Sequence, residues 1–208
     1  PTVNASCSKT PTAIFIGRLD IQVKGLDLLI NCLPPIAEEL RGLGAKINIY
    51  GPDEDGSMVR LEQLITDNHV ADIVLLCGPV NGQSKKDAFL HSQFYIQLSR
   101  TEGFPTSVLE ALAYGLPIVV TEGTTWKETA NNNGIGIGVE SNLADISNAI
   151  LTLFNEEKLR SKMSIAARSY AIEHFQWRAI TERQIDLYRD VVHGLSNQPS
   201  CFSNVERD

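Results

Sequence analysis

The sequence contains no apolar run long enough to cross a membrane as a helix, which takes about 20 residues, and no signal-peptide pattern. It also lacks an excess of basic charge, because 25 acidic residues outnumber 18 Lys and Arg, giving a net charge of −7. This balance argues against general nucleic-acid binding, although it leaves room for a local basic site that binds phosphate. We therefore expect no nucleic-acid partner and no membrane contact through these residues.

Cysteine and histidine are sparse, with four of each. The cysteines have no Cys-x-x-Cys spacing, and two of them, Cys32 and Cys77, lie in apolar segments; the others are Cys7 and Cys201. This pattern predicts reduced, mostly buried thiols and a cytoplasmic protein. The histidines are not spaced like metal ligands, so we predict no metal site.

The composition is sufficient for one large folded domain, since 43% of the 208 residues are hydrophobic and 21% are charged. Residues 1–11 are polar and are expected to be a linker, residues 12–192 to form the domain, and residues 193–208 to be a disordered tail. The first residue is Pro1 rather than methionine, from which we expect a fragment of a longer protein.

Short apolar segments alternate with helical patterns along the chain. The segments that predict strands are residues 12–17, 46–50, 73–77, 94–99, 117–121 and 135–139. Helices are predicted at residues 24–33, 35–44, 57–68, 85–91, 105–114 and 126–131, and three more follow at 143–154, 156–174 and 177–192. This alternation predicts an α/β fold with a doubly wound, mostly parallel sheet and C-terminal helices.

Residues 102–117 hold the most informative pattern, two carboxylates on either side of a helix start. Pro105 is the predicted first helical residue, since its missing N–H would have no partner there. Glu102 precedes it in a loop at the carboxyl end of a strand, where ligands of open α/β sheets bind, and Glu110 lies more than one turn into the helix. Carboxylates accept hydrogen bonds from vicinal hydroxyls, and free helix-start amides suit phosphate. The pattern favours a site for a polyol phosphate; the alternative is two solvated surface glutamates.

Two cations follow the first predicted strand. Gly17-Arg18 leaves the end of that strand, and Lys24-Gly25 stands at a predicted helix start. Arg18 offers a planar fork to phosphate oxygens, whereas Lys24 supplies a compact charge. From these residues alone, a solvated arginine and a helix-lining lysine fit equally well.

Together these residues resemble the motifs of retaining glycosyltransferases with the two-domain GT-B fold, in glycosyltransferase family 4. The resemblance rests on the Glu-x7-Glu (EX7E) pattern of Glu102 and Glu110 and on the Gly-Arg-x5-Lys-Gly pattern that starts at Gly17. It covers residues 14–192 and implies the Rossmann-like C-terminal half of a GT-B enzyme. It also implies an N-terminal acceptor domain, which nothing before Pro11 could supply, so we expect it elsewhere in a longer chain or on a partner.

The resemblance further implies roles for single residues. Arg18 and Lys24 would bind the diphosphate of a nucleotide-diphospho sugar, Glu102 the donor sugar and Glu110 the ribose. Arg18, Lys24 and Glu102 are thus the candidate catalytic residues. Other candidate donor-binding residues are Gly17, Gly51, Gly78, Gly103, Phe104, Pro105, Thr106 and Ser107.

The implied reaction is sugar transfer with retention at the anomeric carbon, and it needs no metal. The resemblance also implies that the isolated chain is inactive, because the acceptor domain is missing from it. The loop after Gly51 departs from the family's Gly-Asp-Gly form, because residues 52–55 are Pro-Asp-Glu-Asp.

Two other classes of function remain as alternatives. A non-catalytic, nucleotide-binding regulatory α/β module would share the fold, but the presence of all four charged residues weighs against it. A dehydrogenase-type domain would need a G-x-G-x-x-G helix opening after the first strand, which is missing. The glycines at 136 and 138 do not supply it, because no helix opens directly after them.

Overall fold

The computed structural model describes residues 10–192, which form a single six-stranded sheet in the order β3-β2-β1-β4-β5-β6. Every neighbouring pair of strands is parallel, which confirms the predicted doubly wound sheet. The strands are β1 (Thr12–Ile16), β2 (Lys46–Tyr50), β3 (Val74–Gly78), β4 (Phe94–Gln97), β5 (Ile118–Thr121) and β6 (Gly136–Val139).

The helices follow the predicted alternation. They are α1 (Ile21–Lys24), α2 (Leu26–Asn31), α3 (Ala37–Leu43), α4 (Ser57–Asp67), α5 (Gly82–Leu90), α6 (Thr106–Ala113), α7 (Lys127–Asn133), α8 (Leu143–Asn155), α9 (Glu157–Phe175) and α10 (Trp177–Val192), with a 3-10 turn at Pro34–Ile36. The short α1 was not predicted, so Lys24 ends a helix instead of starting one. The next helix begins only after Gly25.

Helices cover both faces of the sheet. Successive residues of β1 alternate between two cores: Ala13 and Phe15 face one, and Ile14 and Ile16 face the other. The first core includes side chains of α2, α3, α4 and α8, and the second includes side chains of α5, α6, α7 and α9. This period of two along a strand is what a sheet buried on both faces requires.

The two cysteines within the described residues differ in their environment. Cys32 is buried, and burial raises the pKa of its thiol to about 12. Cys77 is exposed, so the prediction of a buried thiol was wrong there. It lies on β3, an edge strand on which the alternate residues Leu75 and Cys77 face outwards. Cys7 and Cys201 lie outside the described residues, as do most of the predicted linker and the whole predicted tail.

Within residues 10–192, none of the helices combines the length and the apolar character that a membrane crossing requires.

Candidate functional site

The strand order reverses between β1 and β4. The chain runs outwards from β1 through β2 and β3, then returns to place β4 on the other side of β1. In open α/β sheets, ligands bind at the carboxyl ends of the strands beside such a reversal. Lys24 follows β1 and Glu102 follows β4, so the topology brings these two candidates to the same point.

Glycines allow the loops at this edge to lie against one another. The Gly17 N–H donates to Tyr50 O at 3.0 Å, and the Gly51 N–H donates to Gly78 O at 2.9 Å. A Cβ atom at Gly51 would lie 1.6 Å from Gly17 O, so only glycine fits there. The candidates Gly17, Gly51 and Gly78 thus join the starts of three neighbouring loops.

The junction between α1 and α2 sets the position of Lys24. Asp20 caps α1, because its Oδ1 accepts from the Val23 N–H at 2.9 Å. Gly25 follows Lys24 in the left-handed region, at φ 64°, and a Cβ there would lie 2.0 Å from Leu98 O. The glycine therefore lets the junction press against the end of β4.

Arg100, which was not among the candidate residues, fastens this junction to the loop after β4. Its guanidinium forms a bidentate pair with Asp27 at 2.9 and 2.8 Å and also donates to Gln22 O at 3.0 Å. The Arg100 N–H donates to Val23 O at 2.9 Å. Burial raises the pKa of the Asp27 carboxyl, but the hydrogen bond and charge of Arg100 outweigh it, and the pKa lies below its usual value.

Lys24 and Glu102 meet in a largely buried ion pair. Lys24 Nζ donates to Glu102 Oε2, and their side chains are only 13% and 21% exposed. Ser99 Oγ lies 3.4 Å from the same oxygen, and it accepts from Gln97 Nε2 at 2.7 Å. Gln97 Oε1 in turn accepts from the Tyr95 hydroxyl at 2.8 Å. A chain of buried polar groups along β4 therefore supports the Glu102 carboxylate.

The same chain of groups reaches the start of α6. Ser107 Oγ lies 2.8 Å from the Tyr95 hydroxyl. Helix α6 begins at Thr106, one residue later than predicted, since Pro105 occupies the N-cap position with φ −68° and ψ 109°. Pro105 provides no side-chain cap, and its carbonyl accepts from the Val108 N–H at 3.1 Å, so in the first turn of α6 the amides of Thr106 and Ser107 are the ones that lack an intrahelical partner. The predicted stop at Gly115 is confirmed, with φ 75°.

Glu110 lies on α6 and pairs with Lys85 of α5. Lys85 Nζ lies 2.8 Å from Oε1 and 2.6 Å from Oε2 of this carboxylate. Lys85 was also absent from the candidates, because a pair of adjacent lysines gives no signal for which of them faces a neighbouring helix.

Arg18 and Phe104 are two of the exposed candidates. Arg18 Nη1 lies 3.4 Å from Glu54 Oε2, in the segment that departs from the family pattern, so its guanidinium is directed towards the loop after β2. Phe104 is 54% exposed, and its ring lies beside Trp126 and Phe175, with centroids 5.8 and 5.9 Å away. The carbonyl of Gly103 accepts from Thr125 Oγ1 at 2.9 Å.

The sequence and the fold are similar to those of several known glycosyltransferases. The GDP-mannose-dependent alpha-(1-6)-phosphatidylinositol monomannoside mannosyltransferase of Mycobacterium tuberculosis is 26% identical over 187 residues, which cover 86% of this chain and 47% of that protein. A glycosyltransferase from Rickettsia africae has a TM-score of 0.74 at 21% identity, covering 89% of this chain and 48% of that one.

The structure of Anabaena HepE in complex with UDP gives a TM-score of 0.76 at 17% identity, covering 88% of this chain and 50% of that one. The chain spans less than half the length of the curated relatives it matches. Residues 2–170 match the family model described as glycosyl transferases group 1, which confirms the resemblance, and the chain belongs to that family.

Proposed function

We propose that the chain is the donor-binding half of a retaining glycosyltransferase that moves a sugar from a nucleotide-diphospho sugar to an acceptor. The observation that carries this proposal is the largely buried ion pair of Lys24 and Glu102, which lies where the strand order reverses. Buried polar groups link this pair to the start of α6. Membership of the family supports it. So do the dependence of the mycobacterial relative on GDP-mannose and the UDP bound to HepE.

Lys24 and Arg18 bind the diphosphate in this proposal. The free amides at the start of α6 add the positive end of a helix dipole, so the leaving diphosphate is stabilised as it gains charge. One fixed donor of this kind is worth about 10²–10³ in rate. Arg18 leaves Glu54 easily, since an exposed ion pair is worth about 1 kcal/mol or less. Because these groups supply the charge, the proposed reaction requires no metal.

The two glutamates bind the sugar and the ribose. Within residues 10–192, Lys24 and Ser99 contact Glu102 through its Oε2. In this proposal, Oε1 accepts from donor-sugar hydroxyls. Glu110 accepts from the ribose hydroxyls, and the loop that begins at Gly78 faces the base. The remaining donor contacts are assigned to Gly17, Gly51, Gly103, Phe104, Pro105, Thr106 and Ser107.

An acceptor-binding domain outside this chain completes the proposed enzyme. The support for this partner is length, because curated relatives are more than twice as long as the segment they share with this chain. The enzyme is proposed to work in the cytoplasm.

Calorimetric titration of the chain with UDP, GDP and NAD tests the proposal. We expect UDP or GDP to bind, and the Lys24→Ala variant to bind it about 10- to 150-fold more weakly, the cost of a charged hydrogen bond. Lys46→Ala is the matched control, because Lys46 lies at the amino end of β2 and the site lies at the carboxyl ends of the strands. Equal affinity in the Lys24→Ala variant, or preferential binding of NAD, would overturn the proposal.

A further inference from the structure

Helices α5 and α6 contact each other through two pairs of side chains that are one helical turn apart. Lys85 and Phe89 are four residues apart on α5, and Glu110 and Tyr114 are four residues apart along α6 and its C-cap. Side chains at this spacing share one face of a helix. Lys85 contacts Glu110, and Phe89 stacks on Tyr114, so the ion pair and the ring pair lie side by side across one interface.

The ring pair fixes the distance between the two helices at the level of the ion pair. The Phe89 and Tyr114 rings lie 5.1 Å apart at an angle of 8°, and Phe89 is 1% exposed. The Phe89 ring also lies beside the ring of Tyr95, with their centroids 6.3 Å apart. Tyr95 belongs to the chain of polar groups that supports Glu102. Lys85 is thereby held opposite Glu110 on a rigid frame.

The contact leaves part of the carboxylate free. Lys85 Nζ approaches both oxygens of Glu110, at 2.8 and 2.6 Å, and so takes one acceptor position on each. A carboxylate has about four such positions, so one on each oxygen remains for two further donors. The Glu110 side chain is 42% exposed, so solvent or a ligand reaches it. Two vicinal hydroxyls match this pair of free acceptors.

We infer that Lys85 is a positioning residue for ribose recognition: it holds the Glu110 carboxylate in the orientation that accepts from the 2′ and 3′ hydroxyls of the nucleotide. The inference rests on the proposed function, which assigns the ribose to Glu110. A glutamate side chain fixed before binding loses less rotamer entropy when the ligand arrives. Lys85 thus contributes to affinity only through ligands that carry the hydroxyls.

A ligand pair separates this role from a merely structural ion pair. The probes are UDP and GDP, each compared with its 2′,3′-dideoxy analogue by calorimetry. In the Lys85→Met variant we expect affinity for the ribonucleotide to fall by about tenfold and affinity for the dideoxy analogue to stay unchanged. Lys86→Met is the control, since Lys86 is its exposed neighbour on the same helix. An equal loss for both ligands would overturn the inference.

Two further variants keep the result interpretable. Lys85→Gln retains a polar side chain if the methionine variant unfolds, and it should show the same selective loss. Glu110→Gln separates the role of Lys85 from the assignment of the ribose to Glu110. If it abolishes the preference for ribose while Lys85→Gln retains it, the role of Lys85 is overturned and the proposed function stands. If neither variant changes the preference, the assignment of ribose to Glu110 is overturned as well.

Discussion

Glu102 has two oxygens in different surroundings. Oε2 faces Lys24 and Ser99, whereas none of the contacts described above uses Oε1. A single carboxylate can therefore stay fixed by the protein and still accept a hydrogen bond from a ligand. The same carboxylate is paired with Lys24, the cation that binds the diphosphate in the proposed function.

Glu102→Gln should therefore affect two ligands differently. Removal of the charge weakens the bond to a sugar hydroxyl, and we expect the nucleotide sugar to bind about tenfold more weakly. Free UDP or GDP should bind at least as well as to wild type, because Lys24 loses its competing carboxylate. Calorimetry with both ligands measures the two effects. A similar loss for the free nucleotide would reverse the assignment of Glu102 to the sugar.

Tyr95 is the buried centre of the polar chain. Its hydroxyl contacts Ile16 O at 3.1 Å, Gln97 Oε1 at 2.8 Å and Ser107 Oγ at 2.8 Å. Tyr95→Phe removes these bonds and leaves Gln97 Oε1 and Ser107 Oγ with only the long contact between them, at 3.4 Å. We expect the free energy of unfolding to fall by about 1–3 kcal/mol at pH 8, measured by urea denaturation.

The same variant carries a pH signature. Burial raises the pKa of Tyr95 above the usual value of 10.0. Above that pH the unfolded tyrosine loses its proton while the folded one retains it, so the unfolded state binds fewer protons and stability falls as pH rises. The gap between wild type and Tyr95→Phe should therefore shrink from pH 8 to pH 11. A constant gap over this range would contradict the burial of an un-ionised hydroxyl.

At the scale of secondary-structure elements, the junction of α1 and α2 is held by a side chain from another part of the chain. Arg100 joins Asp27 and two α1 carbonyls to the loop after β4. This clamp also sets where Lys24 meets Glu102, since both residues lie within the segments that it joins.

Asp27→Asn should lower stability at pH 7 and weaken binding of UDP or GDP through displacement of Lys24. The pKa of Asp27 is lowered from 3.8 in the folded chain, so its contribution to stability is fully present above that value and is lost as pH falls through the lower folded pKa. Urea denaturation of wild type and variant should therefore show a gap at pH 7 that closes below about pH 4. A gap that persists in acid would show that the aspartate acts by packing and not by charge.

Local patterns predicted most of the elements but not the contacts between them. Each strand is a short apolar segment next to glycine, proline or other turn residues, and such a segment is visible without tertiary information. Helix α1 was missed because four residues are too few for a periodic pattern. Lys85 and Arg100 were missed because their partners lie 25 and 73 residues away, and only the packed sheet brings them together. Cys77 was wrongly predicted to be buried, because the sequence of an edge strand does not differ in composition from that of a central strand.

For the chain as a whole, binding and transfer should separate. The chain spans less than half the length of its curated relatives, so we expect it to bind a nucleotide sugar without transferring the sugar to an acceptor. Incubation of the purified 208-residue chain with labelled sugar nucleotides and a panel of alcohols and glycosides measures this. Transfer over many turnovers would show that the reaction does not need the proposed acceptor-binding domain.

The pairing of cations with carboxylates at the carboxyl ends of the strands has a consequence for which anions can bind. Lys24 and Arg18, the two cations assigned to the diphosphate, each face an acid of the same chain, so an anionic ligand competes with an intramolecular anion. A group tethered in this way acts at an effective concentration in the millimolar range or above. Inorganic phosphate at ordinary concentrations is a weak competitor for such a cation. A nucleoside diphosphate brings its ribose and base contacts along with its charge, so it can displace the tethered carboxylate where a lone phosphate does not.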